Sequence, residues 1–162
     1  MKVFADLLRY PMVSRIHFVE CAGNTSPTDV KTFVQTVQNT HGWTSCSEWT
    51  GVSLSLLLKE AGLQAAGTWI VAEGADAGKR TESIPLSKAM DDVMVAYGQN
   101  GEDIQPSQGY PLRLVLPGWN GGKGVKWLRR IKITEQAYMG KQESASLSAD
   151  SQGKPPVSEE LP

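Results

Sequence analysis

Cysteine and histidine are scarce in this chain of 162 residues, which contains two of each. Cys21 and Cys46 are too few for a disulfide framework, and neither has a CxxC or CxxxH neighbour, so a structural zinc site is disfavoured. Whether they form one bridge stays open here, because bridging depends on Cα geometry. His17 and His41 have no partner at ligand spacing, and no GxSxG motif is present, so hydrolase chemistry is unsupported.

An excess of charge is also lacking, since the formal net charge is -1 and 20% of the residues are charged. This balance gives no reason to expect nucleic acid or an anionic membrane as a partner. No run approaches the roughly 18 apolar residues of a membrane span, and the N-terminal segment does not resemble a signal peptide. Neither a GxGxxG fingerprint nor a P-loop spacing occurs, so both common nucleotide sites are unsupported.

Hydrophobic residues make up 40% of the chain, enough for one globular domain with a sizeable core. Alternation after Ser14 predicts a strand that ends at Cys21, and Cys46 is expected to be a structural residue ahead of a helix. That helix has Leu54, Leu57, Leu58 and Ala61 on one face and Gly62 as its C-cap. Further strands are predicted in the segments TWIVAEGAD, VMVAYG, YPLRLVLPGW and VKWLRRIKIT, the last with Val125 and Trp127 in its alternation.

The composition changes after Thr134, where Ser, Gln, Pro and Glu replace apolar residues. Such a segment cannot bury enough surface to offset its ordering entropy. We therefore expect a β-rich α+β domain with a mixed sheet over residues 1–134, followed by a flexible tail over residues 135–162.

Four features could carry chemistry, and each has a plain structural alternative. Cys21 is either a buried thiol or a thiolate ligand presented at a strand tip, where soft sulfur suits a soft or high-valent metal. The segment NGGKG, with Lys123 and Lys126, either wraps an anion such as phosphate or is a hairpin loop with solvated lysines. Arg113 in an apolar strand either points into a site or faces water from an edge strand. Asp76 either contributes to a site or closes an Asx-type turn.

Six segments occur together in a recognisable order: SRIHFVECAGN, SCSEWTGVSLSLLLKEAG, EGAD followed by SIPLSKAMDD, VAYGQNGE, QGYPLRLVLPGW and VKWLRRIKI. In this order and spacing the chain resembles the molybdenum-cofactor domain of the sulfite oxidase family, in particular the sulfane dehydrogenase molybdenum subunit of bacterial sulfur-oxidising systems. The resemblance covers about Tyr10 to Thr134 and implies a sulfite oxidase-type molybdopterin-binding fold.

The resemblance also implies a cofactor, molybdenum-molybdopterin, and the residues that hold it. In this family the cysteine of the CAGN-like segment binds molybdenum, and Cys21 occupies that position. A histidine often stands where this chain has Gln108, and either side chain can donate a hydrogen bond. The family's pterin and phosphate contacts fall on Asp76, Gln108, Arg113, Gly124, Val125 and Lys126.

The implied reaction is two-electron oxidation of a small anionic sulfur compound, either sulfite or protein-bound sulfane sulfur. Electrons would pass to a c-type cytochrome, and the family implies a periplasmic location. The alternatives are a sulfoxide reductase of the same fold and a cofactor-free remnant.

The chain is expected to be a truncated member of the family. It lacks the front segment that contributes an active-site arginine and the immunoglobulin-like domain through which family members dimerise. The place of the family's active-site tyrosine falls nearer Leu147 than Tyr138, so Tyr138 is expected to be a strand-end aromatic residue.

Overall fold

The computed structural model describes residues 2–24, 36–63 and 66–140. Its helices are α1 Lys2–Leu7, α2 Val37–His41, α3 Leu54–Glu60 and α4 Leu86–Asp91, with 3-10 turns at Pro106–Gln108 and Gly121–Lys123. Its strands are β1 Val13–Glu20, β2 Thr44–Ser53, β3 Trp69–Gly74, β4 Thr81–Pro85, β5 Met94–Gln99, β6 Glu102–Asp103, β7 Arg113–Val115 and β8 Leu128–Thr134.

Two antiparallel sheets carry the fold. The larger sheet has the strand order β1-β2-β5-β6, with β7 also paired to β5, and the smaller sheet has the order β4-β3-β8. The tight turn between β5 and β6 holds Asn100 at φ 54° and Gly101 at φ 82°. This left-handed pair is the conformation that an Asn-Gly sequence favours in a two-residue hairpin. The β-rich α+β class predicted from the sequence is confirmed.

The main core joins the two sheets and the helix α3. Val52 and Leu114 of the larger sheet meet Ile70 and Ile84 of the smaller one, and all four side chains are fully buried. Leu54 of α3 closes the cluster, and each large aliphatic side chain contributes roughly 1.5–3 kcal/mol when it leaves water. A second cluster lies on the opposite face of the larger sheet, formed by Trp49, Met94, Ala96, Ile104 and Val115.

Two strands, β2 and β4, were not predicted from the sequence. In β2 the buried alternate positions are Ser47, Trp49 and Gly51, so the strand has little hydrophobic alternation to read. In β4 the central buried positions include Glu82 and Ser83. Pairing with neighbours fixes both strands: β2 lies between β1 and β5, and β4 pairs with β3. Cys46 accordingly lies within a strand and is exposed, and this strand runs directly into α3 at Leu54.

The strand predicted over VKWLRRIKIT begins later than its sequence suggested. Strand β8 starts at Leu128, and Val125 and Trp127 precede it. Trp127 has φ 50°, a left-handed conformation that breaks the alternation, so the predicted inclusion of both residues in the strand was wrong. The Val125 carbonyl instead accepts a hydrogen bond from the Leu114 N–H. The C-cap residue of α3 is the exposed Ala61 and not Gly62 as predicted; Gly62 follows it in the left-handed conformation, at φ 76°.

The residues that follow β8 pack onto β4 as far as they are described. The Ser83 hydroxyl donates to the Tyr138 carbonyl at 2.5 Å and accepts from the Tyr138 N–H at 2.8 Å. The remainder of the predicted tail, residues 141–162 including Leu147, lies outside the described residues. The domain boundary at residue 134 therefore stays a prediction. Within the described ranges, no helix is long and apolar enough to cross a membrane.

Candidate functional site

Cys21 follows β1 directly and sits in a turn that is held at both ends. Its N–H donates to the Trp43 carbonyl at 2.9 Å, and its carbonyl accepts from the Asn24 N–H at 3.0 Å. The Asn24 side chain completes the turn, since its Nδ2 donates to Glu20 Oε1 at 2.8 Å and its Oδ1 accepts from the Trp43 N–H at 3.3 Å. The thiol is exposed and is not bonded to Cys46. The turn therefore presents the thiol to solvent.

The glycine-dense segment NGGKG lies against this tip of β1. A Cβ atom added at Gly121 would lie 2.8 Å from Val19 Cγ1 and 3.0 Å from the Glu20 carbonyl oxygen. A Cβ atom added at Gly122 would lie 3.4 Å from Ala22 Cβ, beside the cysteine. Glycine is required at Gly121 because any larger residue would push the loop away from the strand.

A buried carboxylate fixes the far side of the glycine loop. Glu82 is 2% exposed, and its Oε1 accepts from Arg80 Nη2 at 2.8 Å while its Oε2 accepts from Lys123 Nζ at 2.9 Å. Arg80 Nη2 also donates to the Gly122 carbonyl at 2.6 Å. Since a buried carboxylate is stable only when paired, these bonds tie β4 to the loop and set both cations in place.

Arg113 is the most deeply buried cation of the region, at 3% exposure. Its Nη1 donates to the Gln108 carbonyl at 3.1 Å and to Gln108 Oε1 at 3.3 Å, and its guanidinium lies 4.7 Å from the Trp49 ring centroid. Within the described residues its buried Nε has no hydrogen-bond partner, and no carboxylate pairs with it. Burial lowers the pKa of Arg113 to about 10, so the group is charged at neutral pH.

Lys126 adds a further positive charge next to Arg113. Its Nζ donates to the Ser107 carbonyl at 2.8 Å and lies 5.8 Å from the Trp127 ring centroid. Burial lowers the pKa of Lys126, and repulsion from Arg113 and from Arg80 lowers it further. An anion bound beside Lys126 would offset this repulsion and stabilise the charged form of the lysine.

The cationic site is defined here as Arg80, Arg113, Lys123 and Lys126, together with the glycine loop. Glu82 is the one carboxylate that pairs with these cations among the described ion pairs. A Cβ atom added at Gly124 would lie 3.4 Å from Arg113 Nη2 and 2.9 Å from the Leu114 carbonyl oxygen. The loop thus runs from the Cys21 turn to the Arg113 guanidinium, and the site suits an anionic ligand that extends towards the Cys21 sulfur.

The predicted site residues fall into two groups in the structure. Gln108, Arg113, Gly124 and Lys126 come together, and the glycine loop links them to Cys21. Asp76 closes its own turn, because its Oδ1 accepts from the Arg80 N–H at 3.1 Å.

Val125 differs from the other predicted site residues. Its side chain is fully buried in the core, and its carbonyl accepts a hydrogen bond from the Leu114 N–H. The cofactor contacts assigned to Val125 and Asp76 stay predictions.

The sequence analysis missed Arg80 and Glu82. Arg80 and Glu82 flank the start of β4, a strand without a hydrophobic signal, so their spatial relation to Lys123 was hidden. The one clue in the sequence was the glutamate Glu82, two residues after the arginine Arg80. In the described part of the chain, no group of three or more His, Cys, Asp and Glu side chains could hold a metal ion.

Comparison with known proteins identifies the family. The sequence model of the oxidoreductase molybdopterin binding domain matches residues 3–142. The sulfane dehydrogenase SoxCD from Paracoccus pantotrophus has a solved structure that matches with a TM-score of 0.79 and 43% identity, over 88% of this chain and 36% of that chain.

Nitrate reductases are also similar. The NADH enzyme of Ulva prolifera is 32% identical over 151 residues, which is 81% of this chain and 17% of that enzyme. The NADH enzyme of Solanum lycopersicum is 41% identical over 104 residues, which is 57% of this chain and 11% of that enzyme. The chain therefore spans a small part of the nitrate reductases and about a third of the SoxCD chain.

The observed side chains fit the cofactor of this family. The buried Nε of Arg113 lacks a partner among the described residues, the loop provides a glycine-lined approach, and a thiol stands at its end. These are donors for an anionic, phosphate-bearing group and a soft ligand for a metal. The sequence match and the sulfite oxidase-type fold agree with the prediction. The chain belongs to the oxidoreductase molybdopterin binding domain family, whose cofactor is molybdenum-molybdopterin.

Proposed function

We propose that this molybdopterin-binding oxidoreductase domain oxidises a small anionic sulfur compound, sulfite or sulfane sulfur carried on a protein. One observation carries the proposal: Arg113 is buried and charged, no carboxylate pairs with it among the described residues, and it lies in a cationic site that a glycine loop joins to the Cys21 turn. A buried charge of this kind costs stability unless a ligand compensates it. An anionic cofactor and an anionic substrate are the natural compensation.

The proposed cofactor contacts begin at the thiol. Cys21 Sγ would hold molybdenum, and Arg113, Gln108 and Lys126 would hold the pterin and its phosphate. Because Gln108 Oε1 already accepts from Arg113, its Nε2 is oriented to donate to the ligand. The bound cofactor would supply a centre that takes two electrons from the substrate. Further contacts would come from backbone groups of Gly124 and Val125. Asp76 would contribute through the turn that carries Arg80.

The chain's own residues would bind and orient the reactants. Asn24 keeps the Cys21 turn closed, so the thiolate position is fixed before the metal arrives. Trp49 supports the Arg113 guanidinium from one face, which limits its rotation. The remaining cations raise the local concentration of anionic substrate.

Sulfur chemistry is favoured by the 43% identity to a sulfane dehydrogenase over most of the chain. A c-type cytochrome as electron acceptor and a periplasmic location belong to the same proposal. The similarity to nitrate reductases favours a second candidate, the reduction of an oxyanion at the same site. Reduction of a sulfoxide is a further candidate for the same fold.

The test is a comparison of substrates with chain purified after expression with abundant molybdenum cofactor. Molybdenum near one atom per chain and reduction of cytochrome c by sulfite are expected. Nitrate and methionine sulfoxide, each with a reduced dye as electron donor, are the competing assays. Faster turnover of either competitor than of sulfite would overturn the sulfur-oxidation proposal, and a chain that takes up no molybdenum would support the cofactor-free remnant.

A further inference from the structure

We infer that Arg80 and Lys123 form a separate subsite that binds the anionic oxygen atoms of the substrate. This inference rests on the proposed function and deepens it, because it assigns substrate recognition to two residues outside the cofactor contacts. The ligand class is an oxyanion of sulfur. A cofactor phosphate has similar chemistry, and the experiment below distinguishes the two sources.

The geometry of Glu82 makes the two cations one unit. Arg80 and Lys123 are bound to opposite oxygens of the Glu82 carboxylate, at 2.8 Å and 2.9 Å. Glu82 is almost fully buried, whereas the side chains of Arg80 and Lys123 are 34% and 25% exposed. Arg80 and Lys123 therefore each present part of a charged group to solvent, and the Nε of Arg80 has no hydrogen-bond partner among the described residues. A paired guanidinium and ammonium can bind an oxyanion through several charge-assisted hydrogen bonds.

The position of this unit favours the substrate over the phosphate. A Cβ atom added at Gly122 would lie 3.4 Å from Arg80 Nη2 and 3.4 Å from Ala22 Cβ, so Arg80 borders the residue next to Cys21. Arg113 instead borders Gly124 at the other end of the loop. Arg80 thus borders the part of the loop that contacts the Cys21 turn, whereas Arg113 is deep in the sheet. A substrate that reacts at a metal on Cys21 has to lie near the first of these.

Arg80→Gln in the full chain tests the subsite by steady-state kinetics and cofactor analysis together. The KM for sulfite is expected to rise by about tenfold or more, because a charge-assisted hydrogen bond is lost. Turnover at saturation and the pterin and molybdenum content per chain should stay near wild-type values. Arg80→Lys keeps a positive charge beside Glu82 and should restore part of the affinity. Lys132→Gln, which removes an exposed cation from β8, is the matched control and should leave KM unchanged.

An unchanged KM in Arg80→Gln would overturn the inference, and so would loss of pterin with unchanged KM in the loaded fraction, since the cation would then serve the cofactor phosphate. If the wild-type chain does not oxidise sulfite, the proposed function fails while the subsite remains testable. Calorimetry with sulfite would then be expected to show binding that Arg80→Gln weakens by about tenfold. Equal binding by wild type and variant would overturn the subsite itself.

Discussion

The guanidinium of Arg113 stacks on the ring of Trp49, with 4.7 Å between Cζ and the ring centroid. Both side chains are buried, and both keep a buried nitrogen, Arg113 Nε and Trp49 Nε1, that has no partner among the described residues. Unsatisfied buried donors are uncommon, and each costs about 1–3 kcal/mol. Two such donors in one site lower the stability of the ligand-free protein, and a bound ligand could accept hydrogen bonds from them.

Replacing Arg113 by methionine should therefore stabilise the cofactor-free chain while abolishing cofactor retention. Because burial holds the pKa of Arg113 at about 10, below its ordinary value, the folded state binds this proton less tightly than the unfolded chain. The charge thus costs stability at every pH below about 10, including neutral pH. We expect a gain on the order of 1 kcal/mol in urea unfolding at pH 7. A destabilised variant would show that Arg113 is satisfied within the protein, contrary to this prediction.

Cys21→Ser should abolish molybdenum-linked activity while leaving the fold intact. The thiol is exposed, so its loss removes little packing, whereas an alcohol is a poor ligand for a soft or high-valent metal. Cys46→Ser is the matched control, because Cys46 is also exposed and free. Molybdenum content, turnover and the melting temperature decide the outcome. Retained activity in Cys21→Ser, or equal loss in both variants, contradicts the assignment of Cys21 as the metal ligand.

Asn24→Ala should lower molybdenum retention with little effect on the melting temperature. The side chain links Glu20 to the backbone of Trp43, and so holds the turn from which the thiol projects. Residues that orient a metal ligand typically change metal affinity about 10- to 100-fold. Asn24→Asp should lower retention further, because a carboxylate would face Glu20 instead of donating to it. Metal content after dialysis measures the effect, and unchanged retention in both variants would contradict it.

Glu73 on the smaller sheet should make stability depend on pH in the acid range. Burial raises the pKa of Glu73, but hydrogen bonds from Arg130 and Arg129, together with their charges, lower the pKa by more. A carboxyl with a lowered folded pKa contributes stability that is fully present above its ordinary value of 4.5 and is lost as the pH falls through the folded value. Glu73→Gln should reduce the free energy of unfolding by about 1 kcal/mol at pH 7, and this effect should shrink as the pH falls below 4.5.

The control for this prediction is Glu102→Gln, which neutralises an exposed carboxylate on β6. Urea unfolding of both variants from pH 7 to pH 3 separates the specific ion pairs from a general change in charge. A difference between wild type and Glu73→Gln that stays constant over this range would contradict the prediction.

Local signals predicted the elements that have strong patterns of their own. The alternation before Cys21 predicted β1 and its end, and the leucine face predicted α3, which ends one residue before Gly62 at the C-cap residue Ala61. The tight turn between β5 and β6 is likewise local, because the Asn100–Gly101 pair adopts the left-handed conformation that such a sequence favours. Strands β2 and β4 were not predicted because Ser47, Glu82 and other polar residues occupy buried positions there. These residues are buried because neighbouring strands and cations satisfy them, and no local pattern records such partners.

The sequence by itself determined the family, the strand that ends at a cysteine and the glycine loop with its lysines, since each of these is a contiguous pattern. Only the tertiary structure decided which charges meet. Glu82 joins Arg80 to Lys123 across the loop, while Arg113 lies on Trp49 and has no carboxylate partner in the described part of the chain. The physical reason is that electrostatic pairing and burial depend on distances between segments far apart in the chain. Those distances are set by sheet register and glycine contacts, which residue order alone does not fix.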